Sequence, residues 1–186
     1  AHDLGVVHRD LKSDNIMVDA ADAVKVLDFG IAQDMQARRR ITQGDIYLGT
    51  PEYCSPEQLC SQDMDERTDI YSLGVVLYEM LTGDMPHHGS CTVELYQKKC
   101  RNRRPSLARV VPGAPRQLSR LLKGFLAPNP RRRFATMDEA VAAIDRVIPK
   151  LGGFGWGDQA IRRFARRRSS SRRSKLIPDS ITSLFF

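Results

Sequence analysis

The chain has 186 residues, of which 41% are hydrophobic and 27% charged, and its formal net charge is +7. This composition is typical of a folded protein, the length suits one domain, and a wholly disordered or fibrous chain is excluded. No apolar run approaches the roughly 18 residues that suggest a membrane-spanning helix. The first residues also lack the basic segment and apolar core of a secretory signal.

The positive charge is concentrated at the carboxyl end of the chain. Residues 1–148 contain 20 Lys and Arg against 20 Asp and Glu, whereas residues 149–186 contain 9 against 2. A basic chain first suggests nucleic acid or an anionic membrane as a partner. Here that suggestion applies only to the last fifth of the molecule.

Short β-prone runs come first along the chain. Residues 5–7, 16–18 and 24–27 are such runs, and residues 19–22 suit a tight connection between the second and the third. Residues 31–56 show little periodicity and predict a long loop. Loops of this length inside a compact domain are usually functional.

Helical patterns follow the loop. Residues 69–81 are apolar nearly all round and predict a buried helix that Gly83 can end. Residues 92–100 are a weaker helical candidate, and residues 116–126 have the spacing of an amphipathic helix. A capping box at residues 136–139 predicts a last helix that ends at Pro149 and turns four residues inward: Ala140, Val141, Ile144 and Ile148.

The last part of the chain has a different composition. Residues 152–157 are rich in glycine and predict a flexible hinge, and residues 162–175 form a low-complexity basic segment. We therefore expect a folded domain over residues 1–151 and a basic, disordered tail over residues 152–186. The four cysteines show neither a C-x-x-C pair nor a zinc-binding spacing, and reduced thiols are expected: Cys54, Cys60, Cys91 and Cys100.

The strongest motif is His-Arg-Asp-Leu-Lys-Ser-Asp-Asn at residues 8–15, followed by Asp-Phe-Gly at residues 28–30. The amide of Asn15 and the carboxylate of Asp28 are ligands that hard cations such as Mg²⁺ prefer. A second carboxylate, Asp10, then stays available to accept a proton, with the positive charge of Lys12 two residues away. This set of groups suits phosphoryl transfer, in which positioning and charge neutralisation do most of the work.

These motifs resemble those of the protein kinase family. The resemblance continues through Gly-Thr-Pro-Glu-Tyr at residues 49–53, Ser-Pro-Glu at 55–57, Asp-Ile-Tyr-Ser-Leu-Gly at 69–74 and Asn-Pro-Arg-Arg-Arg at 129–133. It covers residues 1 to about 150 and is most similar to bacterial serine/threonine kinases. It implies an α+β protein kinase-like fold, of which this chain holds the mainly helical carboxyl-terminal lobe.

The resemblance implies catalytic and nucleotide-binding roles for five residues. Asp10 would orient the substrate hydroxyl and receive its proton, and Lys12 would contact the γ-phosphate of ATP. Asn15 and Asp28 would bind Mg²⁺, and Met17 would form part of the floor under the adenine. Lys at residue 12 also implies that the phosphate acceptors are Ser and Thr side chains of protein substrates.

Five further residues would have structural or regulatory roles by the same resemblance. His8 would support the turn at Asp28, and Asp69 would accept backbone N–H groups of the catalytic loop. Glu57 and Arg133 would form a buried salt bridge. Arg9 would pair with a phosphorylated activation loop.

The segment from Ile31 to Tyr53 is the expected activation segment. Thr42 is the first candidate for a regulatory phosphate and Thr50 the second. In Ser/Thr kinases the threonine that resembles Thr50 bonds through its hydroxyl to the catalytic Asp and Lys, here Asp10 and Lys12. An ordinary turn threonine before Pro51 is the alternative.

The resemblance also implies parts that precede the catalytic loop in a kinase: a Gly-rich loop, a strand lysine and the adenine-binding hinge. Since the loop begins at residue 8, we expect the amino-terminal lobe to be absent from this chain and the chain to be inactive alone. A non-catalytic module that docks substrates or a partner is the alternative function. Phe29 and the segment at residues 49–57 argue against a third candidate, a small-molecule phosphotransferase.

The basic tail leaves several partners open. Ile161, Phe164 and Ala165 share one helical face among five arginines, which suits an anionic membrane surface. The Arg-Arg-x-Ser repeats would also suit phosphorylation, and a solvated linker is the simplest interpretation. No specific nucleic acid is expected. We expect a cytoplasmic protein, with contact to an anionic membrane through the basic tail as an alternative and membrane association if the full-length protein continues past the tail.

Overall fold

A computed structural model of the chain describes residues 1–19, 23–28, 50–60, 62–102, 104 and 106–151. The predicted Gly-rich hinge and basic tail lie outside these residues, as do Phe29, Gly30, Thr42 and most of the expected activation segment. Within the described ranges, no helix combines the length and the apolar character that a membrane crossing requires.

A two-stranded antiparallel hairpin follows the catalytic motif. Strand β1 spans Ile16–Val18 and β2 spans Val24–Val26, with Met17 opposite Lys25. Two of the three predicted β-prone runs are therefore confirmed. The connection is closed at its base because the backbone N–H of Asp19 donates to the carbonyl of Ala23 over 3.0 Å.

The prediction of a strand at residues 5–7 is wrong. A 3₁₀ turn, His2–Leu4, precedes it, and Gly5 ends that turn with a left-handed φ of 68°. The backbone N–H of Val6 then donates back to the carbonyl of Ala1 over 3.1 Å, so it cannot join a sheet. β-Branched residues are therefore not sufficient here, since a strand also needs a neighbour with which to pair.

The described residues include six α-helices, which we number in chain order: α1 Pro56–Leu59, α2 Arg67–Thr82, α3 Thr92–Cys100, α4 Leu107–Val110, α5 Arg116–Phe125 and α6 Met137–Asp145. Further 3₁₀ turns span Ser13–Asn15, Pro130–Arg132 and Ile148–Leu151. The helices predicted over residues 69–81, 92–100 and 116–126 are thus confirmed, with boundaries within two residues of those expected.

Helix α2 is the centre of the core. Ile70, Tyr71 and Val75 are fully buried, as the nearly uniform apolar sequence predicts. Gly74 lets α2 approach α5 closely, because a Cβ at this position would overlap the side chain of Phe125. Gly83 ends the helix with a φ of 71°, which a residue without a Cβ adopts at little cost.

Helices α5 and α6 complete the core. Four residues of α5 face inward as the spacing predicts: Leu118, Leu121, Leu122 and Phe125. In α6, Ala140 and Ile144 are buried, and Thr136 caps the helix by accepting from the N–H of Glu139. Val141 instead remains 40% exposed, which corrects its predicted inward position. The reason is geometric, since successive helical residues point about 100° apart.

Candidate active site

The catalytic motif is attached to the core helix through Asp69. Its Oδ2 accepts the backbone N–H of His8 at 2.7 Å and its Oδ1 accepts that of Arg9 at 2.8 Å. The imidazole Nε2 of His2 lies 2.8 Å from the same Oδ2. Since Asp69 is only 2% exposed, α2 holds the start of the catalytic motif with buried, charge-assisted hydrogen bonds.

The backbone at Arg9 is in an uncommon conformation. Its φ of 64° lies in the left-handed region, which costs a non-glycine residue on the order of 1–3 kcal/mol. Both sides of the residue are held: Asp69 binds its N–H, and the side chain of Gln58 donates to its carbonyl over 2.7 Å. These bonds offset the strain and direct the chain toward Asp10.

Asp10 is held by two neighbouring side chains. The ammonium group of Lys12 donates to Asp10 Oδ2 at 2.9 Å, and the amide nitrogen of Asn15 reaches the same oxygen at 3.2 Å. Asn15 also donates to the Asp10 backbone carbonyl at 2.9 Å. Both cationic and amide donors therefore use Oδ2, and no described residue donates a hydrogen bond to Oδ1. A carboxylate in this arrangement can accept a proton from a hydroxyl at its second oxygen.

Asn15 and Asp28 lie at adjacent points of the site. The backbone N–H of Leu27, the residue before Asp28, donates to the Asn15 carbonyl over 2.8 Å. Because Asn15 turns its amide nitrogen toward Asp10, its amide oxygen is directed away from that residue. Asp28 is exposed and has a left-handed φ of 54°. One amide oxygen and one exposed carboxylate form a donor set that fits Mg²⁺.

Met17 and His8 are the remaining residues expected near the nucleotide and the Asp28 turn. Met17 is 51% exposed in the middle of β1, so its side chain is available to an apolar surface such as a nucleobase. His8 is buried, and its Nε2 lies 3.0 Å from the carbonyl of Leu27. Its Nδ1 accepts the backbone N–H of Asp10 at 3.3 Å, which assigns the ring proton to Nε2. His8 thus joins Asp10 to the residue before Asp28.

A buried hydroxyl pair connects the catalytic motif to the segment that follows the activation loop. Ser13 Oγ lies 2.7 Å from the Tyr53 hydroxyl, which donates to Glu79 Oε2 of α2 over 2.5 Å. Burial, together with the charge of Glu79, raises the pKa of Tyr53, so the phenol stays protonated. The sequence does not indicate this link, because Ser13 lies inside the motif and carries no separate signal.

Gln58 is a second residue that supports the site without being indicated by the sequence motifs. Ser55 and Gln58 form a reciprocal capping box at the start of α1, and the Gln58 side chain also reaches the carbonyl of Arg9. The Ser-x-x-Gln spacing predicts the cap. Nothing in the sequence indicates the second contact, which depends on a separation of 49 residues along the chain.

Glu57 and Arg133 form the buried salt bridge that the resemblance implies. Arg133 Nη1 and Nη2 bind the two carboxylate oxygens of Glu57 at 2.6 and 2.7 Å. Its other hydrogen bonds go to the carbonyls of Arg67, Ala127 and Pro128. Burial alone would raise the pKa of Glu57, but the hydrogen bonds and charge of Arg133 hold that pKa below its usual value. The pair therefore joins α1 to the turn before α6.

Lys99 supports the same segment from α3. Its ammonium group donates to the carbonyls of Glu52 and Cys54, each over 2.6 Å, although the residue is only 1% exposed. Burial lowers the pKa of Lys99 to about 8. Leu95 is buried four residues earlier, so the helical period places Lys99 on the inward face, but its charge argued against a buried position.

Thr50 does not form the contact expected of it. No hydrogen bond joins its hydroxyl to Asp10 or Lys12, and Lys12 binds Asp10 directly. The Thr50 carbonyl instead accepts the backbone N–H of Tyr53 at 3.1 Å, as in an ordinary turn. A regulatory role for Thr50 or Arg9 stays a prediction, and Thr42 lies outside the described residues.

Comparisons of the sequence with family models and with curated proteins indicate the same protein family. The model of the family described as "Protein kinase domain" matches residues 1–143. Serine/threonine-protein kinase PknB of Mycobacterium tuberculosis (strain ATCC 25618 / H37Rv) is 42% identical over 149 residues, which covers 79% of this chain and 24% of that protein. PknB of Mycobacterium leprae (strain TN) is 40% identical over 147 residues, with the same two coverages.

A third relative extends further along the chain. Serine/threonine-protein kinase PknL of Mycobacterium tuberculosis (strain CDC 1551 / Oshkosh) is 34% identical over 171 residues, which covers 92% of this chain and 43% of that protein. The chain thus spans about a quarter of the length of the PknB proteins and less than half of PknL.

Proposed function

The chain belongs to the protein kinase family and is of the bacterial serine/threonine type, and from that premise we propose that it supplies the catalytic loop for phosphoryl transfer to Ser and Thr side chains of proteins. The observation that carries the proposal is the arrangement at Asp10. One carboxylate oxygen is held by Lys12 and Asn15, while no described residue donates to the other.

The chemistry follows from these positions. A Ser or Thr hydroxyl hydrogen-bonded to Asp10 Oδ1 would be oriented for attack, and Asp10 would take its proton. Lys12 already neutralises Oδ2, and its ammonium group is placed to meet negative charge that develops beside Asp10. Positioning of this kind accounts for most of the rate in phosphoryl transfer, which requires little covalent chemistry from the protein.

Asn15 and Asp28 are the residues that would hold Mg²⁺, and Met17 is the residue that would lie under the adenine of ATP. When bound, the metal ion would neutralise the phosphate oxygens of ATP and hold them in line with the acceptor. The donor set fits this role, since it consists of one amide and one carboxylate oxygen joined through the backbone of Leu27.

We further propose that residues 1–151 are the carboxyl-terminal lobe of a kinase domain and that these 186 residues alone do not transfer phosphate. The support is that the catalytic loop and the segment at residues 50–60 are part of the described fold. A Gly-rich phosphate-covering loop and its strand lysine, by contrast, find no match among the motifs of residues 1–151.

The test is transfer of labelled γ-phosphate from ATP to a basic protein in the presence of Mg²⁺. We expect the chain and its Asp10→Asn variant to give the same background. Transfer by the chain that Asp10→Asn abolishes would overturn its inactivity and support the catalytic role of Asp10. Transfer that survives the substitution would overturn that role.

A docking module is the alternative function, favoured by the buried bonds that support residues 50–60 independently of Asp10. It predicts that binding of a protein partner is lost when α3 is altered and kept in Asp10→Asn. Loss of partner binding in Asp10→Asn would exclude it.

For residues 152–186 we propose a solvated basic linker on a cytoplasmic protein, with contact to an anionic membrane as its alternative. Sedimentation with phosphatidylserine vesicles decides between them. The linker predicts no difference between the chain and a form that ends at residue 157. Salt-sensitive sedimentation of the longer form alone would establish the membrane contact.

A further inference from the structure

A cavity with mixed polar and apolar lining lies away from the catalytic loop. It has a volume of about 270 Å³, is partly open to solvent and is lined by residues of α2, α4 and α5 together with Asn102, Arg104 and Ser106. Its polar lining consists of Tyr78, Asn102, Arg104, Ser106, Ser119 and Lys123. It shares no lining residue with the site around Asp10, so any ligand that it takes would be separate from the phosphoryl-transfer reaction.

The charge of this cavity is positive. Arg104 and Lys123 both line it, and none of the lining residues that the structure describes carries a carboxylate. The guanidinium of Arg104 donates to the amide oxygen of Asn102, and no described carboxylate forms an ion pair with it. A partly buried cation without an opposite charge is costly, and an anion in the cavity would relieve that cost.

Charged groups of both signs lie near the cavity. Lys99 and Arg104 both lie close enough to the buried imidazole of His87 to oppose its protonation. The carboxylate of Asp84 lies close enough to Tyr78 to help raise the pKa of that phenol. Burial lowers the pKa of Arg104 itself. Among the described lining residues, however, the two charged ones are both cations.

The remaining lining residues are two leucines, Leu107 and Leu122, and residues with polar side chains that can donate hydrogen bonds. Ser119 and Lys123 are four residues apart on α5, so they lie on the same face of the helix. Ser106 adds a second hydroxyl, and burial raises the pKa of Tyr78, which keeps its phenol protonated and able to donate. Two cations and up to three hydroxyl donors match a tetrahedral dianion better than a single carboxylate.

We propose that this cavity binds a phosphate group, either inorganic phosphate or the phosphate of a phosphorylated Ser or Thr side chain. The volume lies below the roughly 300–1,000 Å³ typical of sites for drug-sized ligands. The guanidinium of Arg104 has further N–H donors beyond the one that binds Asn102, and the exposed Lys123 supplies the second positive charge.

The test is a titration of the full ¹⁵N-labelled chain with inorganic phosphate at constant ionic strength, followed at the amide signals of Ser106 and Ser119. We expect saturable shifts that Arg104→Gln weakens by about tenfold in affinity. Lys123→Gln should weaken binding less, and it changes an exposed residue, so folding is preserved. Arg120→Gln removes an equal charge from the same helix outside the cavity and should bind as the unaltered chain does.

Two results would overturn the proposal. One is the absence of saturable shifts at Ser106 and Ser119, and the other is equal weakening by Arg120→Gln and Lys123→Gln, which indicates only general attraction of anions. A second titration uses the tripeptide Ala-phosphoserine-Ala, with its unphosphorylated form as the control. Competition between this peptide and phosphate supports the site and identifies a phosphorylated side chain as a ligand. Exclusion of the peptide with phosphate still bound supports the site for the free ion.

Discussion

The helical body and the catalytic motif are stabilised in different ways. The body, formed by α2, α5 and α6 together with α1 and the turn before α6, is held by apolar side chains that are almost fully buried, such as Tyr71 and Phe125. The catalytic motif and its hairpin bury fewer apolar side chains: Leu11 and Val18 are buried, whereas Met17 and Val26 remain 51% and 42% exposed. Specific hydrogen bonds, chiefly those to Asp69, fix the motif on the body.

This difference separates stability from site geometry. Loss of an apolar or ionic contact inside the body should lower the free energy of unfolding of the whole fold. Loss of a hydrogen bond between the motif and α2 should mainly displace the site, because few apolar contacts depend on it. Variants in the two regions should therefore differ in which measurement they change.

The largest expected effect is in the body, at the salt bridge between Glu57 and Arg133. Arg133→Ala leaves a buried carboxylate without its partner and should lower the free energy of unfolding by about 3–5 kcal/mol. Thermal or urea unfolding measures this. Arg131→Ala is the matched control, since Arg131 is exposed and only its backbone N–H forms a hydrogen bond. Equal destabilisation by the two variants would contradict the assignment.

A smaller and more local effect is expected at Asp69. Asp69→Asn keeps one acceptor for the N–H groups of His8 and Arg9 and should cost about 2 kcal/mol. Hydrogen exchange should become faster at those two amides and stay unchanged at Val75 and Val76 within α2. Asp145→Asn, an exposed carboxylate on α6, is the control. Uniformly faster exchange throughout α2 would show that the motif and the body are not separable.

Replacement of His87 is expected to raise the free energy of unfolding, whereas the two preceding variants should lower it. It is 2% exposed, neither ring nitrogen forms a hydrogen bond with the described residues, and burial with nearby cations lowers its pKa to about 3. The unfolded chain binds a proton below about pH 6.5 and the folded chain does not, so stability falls as pH drops from 6.5 toward 3. The slope contributed by His87 is at most about 1.4 kcal/mol per pH unit.

His87→Phe should remove that slope and raise the free energy of unfolding at pH 7 by about 1–2 kcal/mol. Urea unfolding between pH 7 and pH 5 measures both the slope and the free energy of unfolding. This pH range lies above the range in which Glu57 titrates. His88→Phe controls for the loss of an imidazole, since His88 is exposed beside Asp84. An unchanged pH dependence in His87→Phe would contradict the unpaired, buried state of this ring.

Most of the fold could be predicted from local pattern. The helices over residues 67–82 and 116–125 follow from apolar periodicity, which reports directly on a buried face. The strand predicted at residues 5–7 fails because pairing depends on a partner that local sequence does not show. The prediction of an inward Val141 fails because Ala140 and Ile144 define the buried face of α6, and the residue next to Ala140 points away from that face.

The residues of the candidate site could be located through the family motifs, but their supports could not. Ser13, Gln58 and Lys99 act through partners 40 to 49 residues away. Such contacts depend on how α1 and α3 pack beside the catalytic motif, and no short spacing encodes that. The missing contact of Thr50 has the same origin, because it depends on the three-dimensional position of the segment after residue 49.

Titration with Mn²⁺ is the most direct test of the proposal that Asn15 and Asp28 hold a divalent metal ion. Paramagnetic broadening should be strongest at the amide signals of Asn15, Leu27 and Asp28. It should be lost in Asp28→Asn and kept in Asp145→Asn, which removes an equal charge elsewhere. Broadening that is centred on other residues, or that is unchanged in Asp28→Asn, would contradict the account.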